Sequence, residues 1–284
     1  MKEITLKSHG KINLGLDVLY KRDDGYHEIN TIMQQIDLSD TLTIREKEKG
    51  IVIKSHNKDL PLDSSNLIYK AWEKIQEKTG VKRGIEVTVD KKIPIAAGLA
   101  GGSSNAATVL KGLNELWDLG LKEEELQEIG VEIGADVPFC ITGGTALAQG
   151  IGEKLTKLKP FKGKNLLLVN PGMQISTAEV YASLRPNGKK KMNMEKIVEF
   201  IEKNDIYSLA KHIVNVMEEV VVKKNPIISE IKKDLVECGA LCSLMSGSGP
   251  TVFGLFDDLE RLLFCKNKLA NKYSEGRIYL AKTI

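Results

Sequence analysis

The sequence predicts an α+β protein made of two domains, each a two-layer α/β unit, residues 1–155 and 156–284. Three observations carry that expectation. The first 55 residues are rich in β-branched side chains and partly alternate. From residue 64 the apolar spacing changes to that of helices. After residue 155 a second mixed series of strand-like and helix-like segments begins. The boundary falls in a stretch rich in Gly and Lys, and 284 residues suit two domains of ordinary size.

Each element follows from local pattern. Strands are expected at Ile4–Lys7, Ile12–Leu19, Thr31–Ile36, Thr41–Ile44 and Ile51–Lys54, with a turn at Asp24-Gly25. Ser64-Ser65-Asn66 offers N-cap side chains, and Leu67, Ile68, Ala71, Trp72 and Ile75 share one face of a helix that stops near Gly80. Ile85, Val87 and Val89 alternate as a strand. A helix runs from Ser103 to about Gly120, and a charged one spans Lys122 to Ile133. In the second half, strands are expected at Leu166–Val169, Leu241–Met245, Thr251–Phe256 and Arg277–Ala281. Helices are expected at Met194–Glu202, Tyr207–Lys223, Ile227–Glu237 and Asp258–Lys272.

Composition excludes several classes. The 41 basic and 38 acidic residues leave a net charge of +3, so no global attraction to nucleic acid is implied. The run Lys189 to Lys191 reads as a solvated loop. No run approaches the ~18 apolar residues of a membrane span, and MKEITLKSHG carries no secretory core segment. Cys140, Cys238, Cys242 and Cys265 form no C-x-x-C pair and stand apart from histidine, as buried thiols in a reducing cytoplasm would. His9, His56 and His212 suggest no role.

One stretch asks for a function. "PIAAGLAGGSSNAA" (Pro94 to Ala107) places three glycines and two serines between a strand and a helix. A loop with little side chain lets backbone N–H groups approach a ligand, and a helix start adds unpaired donors and a positive dipole end. Together these suit phosphate. A tight turn with no ligand is the competing reading. The stretch is neither a Walker A motif, since the lysine is missing, nor a G-x-G-x-x-G fingerprint.

The pattern Pro94-x-x-x-Gly98-Leu99-x-Gly101-Gly102-Ser103-Ser104-x-Ala106 resembles the ATP-binding loop of the GHMP kinases, which phosphorylate small metabolites. "SHGKINLGL" (Ser8 to Leu16) and "MSGSGPTVFGLF" (Met245 to Phe256) resemble two further segments of that superfamily. "KRDDGYHEINTIMQQIDLSD" (Lys21 to Asp40) and "GADVPFCITGGTALAQGIGE" (Gly134 to Glu153) narrow the resemblance to the branch acting on 4-diphosphocytidyl-2-C-methyl-D-erythritol, in the non-mevalonate route to isoprenoid precursors. Ala100 stands where that loop often has glycine.

The resemblance implies a GHMP kinase fold: a ribosomal-protein-S5-like N-terminal domain, a C-terminal α/β domain, and ligands in the cleft between them. It implies ATP and Mg²⁺ as cofactors and a monomer or homodimer with no nucleic-acid or membrane partner. Asp136 matches the catalytic base for the substrate's 2-hydroxyl. Lys11 matches the lysine that stabilises negative charge on that aspartate and on the transferred phosphoryl group. Asn13 lies two residues beyond Lys11, on the same strand face, and is expected to bond substrate near the reacting hydroxyl. Tyr26 and His27 match the cytidine pocket, Tyr181 a second ring stacking on cytosine, and Thr177 a weaker contact. Asn66 matches a residue near adenine, which helix capping alone would also explain. Pro94, Gly98, Leu99, Ala100, Gly101, Gly102, Ser103 and Ser104 are expected to surround the phosphates, with Ser104 the candidate Mg²⁺ ligand. Ser246, Gly247 and Gly249 are expected to close over the reaction centre. A kinase for homoserine or mevalonate, and a non-catalytic ATP-binding sensor, are the alternatives.

Overall fold

The computed structural model describes residues 2–186, 188–274 and 277–284. Two compact units interleave along the chain. The first comprises Met1–Gly10, Ser39–Ile95 and Ala100–Gly143; the second comprises Lys11–Leu38, Ala96–Leu99 and Gly144–Ile284. Two strands run from one unit into the other: β1 (Glu3–Lys21) and β2 (His27–Lys47). Four of the short strands expected near the N-terminus are therefore two long ones. Neither Ser8-His9-Gly10 nor Asp37-Leu38-Ser39 turns, because Ser8 and Asp40 are buried and hydrogen-bonded where they stand.

In the first unit, β2 pairs antiparallel with β4 (Gly84–Asp90), Leu42 opposite Val89, and β3 (Ile51–Ser55) pairs parallel with β4. Ile85, Val87 and Val89 are buried, so β4 alternates as its sequence suggests. Four helices cover the sheet: α1 (Leu67–Thr79), α2 (Gly101–Leu116), α3 (Glu123–Ile133) and α4 (Val137–Thr142). Asn66 Oδ1 accepts from the Ile68 N–H at 3.0 Å to cap α1, and Gly80 ends it at φ 72°. Ile68, Ile75, Val109, Leu113, Ile129 and Val137 share one core with Ile44 and Val87. α2 comes close enough that a Cβ on Gly112 would lie 2.6 Å from Ile44 Cδ1.

In the second unit, β2 pairs antiparallel with β5 (Thr145–Gly150), which pairs with β6 (Lys154–Lys157). A four-stranded antiparallel sheet has the order β10-β7-β9-β8, with β7 at Asn165–Val169, β8 at Cys242–Met245, β9 at Val252–Phe256 and β10 at Ile278–Lys282. The helices are α5 (Thr177–Ser183), α6 (Met194–Glu202), α7 (Ile206–His212), α8 (Glu218–Lys224), α9 (Ile227–Glu237) and α10 (Leu259–Tyr273). Leu167, Val169, Val252 and Phe256 from the sheet pack with Ile228, Ile231, Leu235, Leu262 and Leu269.

The single helix expected over Tyr207–Lys223 is two helices, α7 and α8. Between them the Val214 carbonyl accepts from the Leu16 N–H at 2.8 Å, and the Val216 N–H donates to the Leu16 carbonyl at 3.0 Å. Strand-like bonds to β1 replace helical bonds there. No helix among the described residues is long and apolar enough to cross a membrane.

Candidate active site

The first unit supplies the helix start that the glycine loop leads into. Ala100 is the N-cap of α2, at φ 54°, and no side chain caps the helix. The donors of its first turn are thus without a side-chain acceptor. An alanine in the left-handed region costs about 1 kcal/mol relative to glycine, which is the physical reason glycine suits this position. Gly102 is exposed and Ser103 half-buried. Ser104 is buried, and its hydroxyl donates to the His9 carbonyl at 2.6 Å and accepts from Ser8 at 2.8 Å. That hydroxyl anchors the helix to β1. Ser103 Oγ instead lies 4.0 Å from where a Cβ on Gly134 would be, beside the turn that carries Asp136.

Asp136 precedes α4, and its carboxylate does not cap that helix. Asn66 uses both ends of its carboxamide on nearby backbone, since its Nδ2 donates to the Pro61 carbonyl at 2.6 Å. Pro94 ends the segment that follows β4. Beneath the helix start lies a group the sequence does not announce. The fully buried Asp40 accepts from Lys91 Nζ at 2.7 Å, from the Lys92 and Ile93 N–H groups at 2.7 and 2.8 Å, and from Asn105 Nδ2 at 2.9 Å. Burial pulls the Lys91 pKa down and Asp40 pushes it back up. Among the described residues no cluster of three or more His, Cys, Asp or Glu side chains is placed to hold a metal.

The second unit carries Lys11 and Asn13, both buried on β1. Lys11 Nζ donates to Asn13 Oδ1 at 2.8 Å, Asn13 Nδ2 donates to Thr31 Oγ1 at 2.9 Å, and Thr31 donates to the Gly15 carbonyl at 2.6 Å. The chain has one consistent direction. Because Thr31 gives its proton to Gly15, it receives from the Asn13 amide, and the Asn13 carbonyl is left facing the ammonium. Thr31→Val, close in shape, removes this orientation. In the kinase reaction that the sequence predicts, kcat is expected to fall about 10-fold, the effect of roughly 1.4 kcal/mol, with the KM for ATP unchanged and Thr31→Ser restoring turnover. Steady-state kinetics of the two variants decide it: equal losses in both would remove Thr31 from this role.

The C-terminal glycine turn sits against the same lysine. A Cβ on Gly247, at φ 54°, would lie 3.4 Å from Asn13 Oδ1 and 3.5 Å from Lys11 Nζ. Gly98 lies against the same turn: a Cβ there would meet the Ser246 carbonyl at 2.2 Å, and Ser246 Oγ donates to the Gly98 carbonyl at 2.9 Å. Leu99 accepts from the Lys11 N–H at 3.0 Å. Gly249, at φ 83°, is packed on Met245. Asn215, in the break between α7 and α8, holds the turn by donating to the Met245 and Gly247 carbonyls at 2.7 and 2.8 Å. Thr177 bonds Ser248 of the turn at 2.8 Å.

At the start of β2, His27 stacks on Tyr181 with centroids 5.0 Å apart and planes at 25°. Burial and nearby Lys21 lower the His27 pKa, favouring a neutral ring with one donor and one acceptor. Tyr26 is 59% exposed, so the ring packed against Tyr181 is His27.

Residues 66–144 match the family described as GHMP kinases N terminal domain, and residues 197–275 match GHMP kinases C terminal. The 4-diphosphocytidyl-2-C-methyl-D-erythritol kinase of Alkaliphilus oremlandii is 50% identical over 286 aligned positions, covering 100% of this chain and 97% of that protein. The chain belongs to the 4-diphosphocytidyl-2-C-methyl-D-erythritol kinase family. A crystal structure of a 4-(cytidine 5'-diphospho)-2C-methyl-D-erythritol kinase superposes with TM-score 0.83 at 29% identity, over 99% of each chain. A homoserine kinase from Cytophaga hutchinsonii shares the fold, with TM-score 0.77 at 20% identity over 100% of this chain and 95% of its own. The kinase family expected from the glycine loops and from "DGYHE" is the one these comparisons show, and its GHMP fold is the one observed.

Proposed function

We propose that this chain transfers the γ-phosphoryl group of ATP to the 2-hydroxyl of 4-diphosphocytidyl-2-C-methyl-D-erythritol, giving the 2-phosphate and ADP in the methylerythritol phosphate route. Among the geometric observations, the His27–Tyr181 pair on the strand that also carries Thr31 supports this substrate best. Flat rings that stack suit a pyrimidine, and neither homoserine nor mevalonate has one.

Phosphoryl transfer depends on positioning and on charge neutralisation. Asp136 accepts the proton of the 2-hydroxyl as its oxygen bonds to phosphorus and the bond to ADP breaks. Lys11, oriented by Asn13 and Thr31, stabilises the negative charge that develops. The uncapped start of α2 and the glycine backbone around Gly98 to Gly102 hold the phosphates. Gly247 keeps the space beside Lys11 clear of side chain. Tyr26, His27, Tyr181 and Thr177 receive the cytidine end.

Mg²⁺ bound with ATP would neutralise phosphate charge. Because the Ser104 hydroxyl already donates to His9 and accepts from Ser8, the Ser103 hydroxyl would be the protein group to hold it. Four cysteines with no C-x-x-C pair suit a reducing cytoplasm.

The test is ADP release with Mg-ATP and the cytidyl substrate, run beside homoserine and mevalonate. Turnover on the cytidyl compound alone is expected. Turnover only on another alcohol would keep the family's chemistry and overturn the substrate.

A further inference from the structure

The second unit contains a cavity of about 680 Å³ that the proposed reaction does not use. That volume lies in the ~300–1,000 Å³ range of small-molecule sites. One wall is the β2–β5 pair, where Asn30 stands opposite Gln149 and Ile32 opposite Leu147. Strand side chains alternate, so Asn30 and Gln149 point away from the face on which Thr31 meets Asn13. The cavity therefore lies behind the sheet relative to the Lys11 chain. The other wall is the segment from Lys190 into α6.

That segment is held in place. The Lys191 N–H donates to Asp17 Oδ2 at 2.7 Å, and Met192 is packed so closely on Gly15 that a Cβ there would lie 2.7 Å from its Cε. The cavity is thus a structural space between anchored elements.

Its lining has the chemistry of a ligand site. Asn30 is 7% exposed, and its Oδ1 is buried with no hydrogen-bond partner. That oxygen is an acceptor, so a ligand O–H or N–H placed in the cavity would give it the partner it lacks. Gln149 supplies a second carboxamide at the same register position. Lys190 is exposed and lines the cavity, while the Lys191 ammonium is directed to Glu219 at 3.6 Å. Glu195 is the one acidic side chain in the lining. Leu147 and Met192 give an apolar wall, and methionine adapts to varied shapes.

We propose that this cavity is a second binding site, for a small soluble organic anion: a phosphate monoester head joined to a short apolar body. Lys190 meets the charged oxygens of the head, the P–OH of its monoanion donates to Asn30 Oδ1, the Gln149 NH₂ donates to the ester oxygen, and Leu147 and Met192 cover the hydrocarbon.

n-Hexyl phosphate is the probe, titrated calorimetrically into the full chain with ADP in excess so that the phosphate loop is filled. Saturable sub-millimolar binding is expected. Hexanol and inorganic phosphate should each bind at least ~10-fold more weakly, since each lacks one half of the contacts. Asn30→Leu and Lys190→Glu should each weaken hexyl phosphate about 10-fold or more. Lys190 is exposed, so its variant keeps the test valid if Asn30→Leu fails to fold. Absence of saturable binding, or binding that Lys190→Glu leaves unchanged, would overturn the site. So would cosedimentation with phosphatidic-acid vesicles without binding of hexyl phosphate, which would assign the surface to a lipid.

Discussion

Asp136→Asn is expected to lower kcat by about 10²–10⁴-fold, the usual contribution of a positioned general base, while KM for ATP and for the cytidyl substrate stays within about twofold. The substitution keeps the shape of the side chain and removes its ability to accept the hydroxyl proton. Asp136 is half-buried at the start of α4, between Gly134-Ala135 and the buried residues Val137 to Ile141, so the local backbone has its own support. The groups assigned to bind are elsewhere in the chain: the α2 start for phosphate, and His27 with Tyr181 for the base. A loss confined to kcat therefore reports removal of an interaction made in the transition state. ADP-release kinetics with calorimetric ATP binding on the same variant separate the two. Turnover near that of the parent would show that the 2-hydroxyl needs no base here, and Lys11 alone would then carry the chemistry. A large rise in KM for both substrates would instead mark Asp136 as a binding residue.

The parts of this molecule that could be read in the sequence are those with local causes. α1 begins at Asn66 and ends before Gly80 because a cap and a left-handed glycine lie in the sequence itself. α6 and α9 have the bounds their apolar spacing predicts. β4 alternates because only one of its faces is buried. What could not be read has distant causes. β5 is the alanine-containing TALAQG, a poor strand sequence, and it becomes one by pairing Ala146 with Met33 and Ala148 with Thr31. α4 is six residues long with Pro138 near its start, too short for a period to show. The same divide runs through the site. Lys11, Asn13, Asp136 and the glycine segments are legible as motifs. Thr31 is not, because its partner Asn13 is 18 residues away. Asn215 acts on a turn 30 and 32 residues on, from inside what reads as one helix. Tyr26 and Tyr181 can be matched as two rings, but only the fold shows that His27 is the one against Tyr181.

Asp40 is the strongest case of such a hidden residue, and Asp40→Asn is expected to destabilise the fold by about 3–5 kcal/mol, the cost of breaking a buried ion pair from one side. Both carboxylate oxygens are engaged: Oδ2 by Lys91 and Asn105, and Oδ1 by the Lys92 and Ile93 N–H groups. All four partners are donors. Whichever way an asparagine is turned, its own NH₂ faces two of them, so two bonds are lost and two donors are opposed. Lys91 is then buried without its counter-charge. The pH dependence follows from the sign of the Lys91 shift. Burial already holds this lysine below its ordinary value of 10.5, and removing Asp40 takes away the influence that opposes burial. Between the lowered folded value and 10.5 the unfolded chain binds more protons, so stability rises with pH. Urea unfolding should therefore show the deficit shrinking as pH is raised toward 10, more steeply than in the parent. Adding Lys91→Met should recover part of the loss by removing the stranded charge. The variant that remains folded at neutral pH should also bind ATP more weakly, because Asn105 of α2 and the Lys91 to Ile93 backbone leading to the glycine loop proposed to hold phosphate are what Asp40 ties together. A deficit that is flat with pH and untouched by Lys91→Met would leave Asp40 as a backbone acceptor only, with no role for the ion pair.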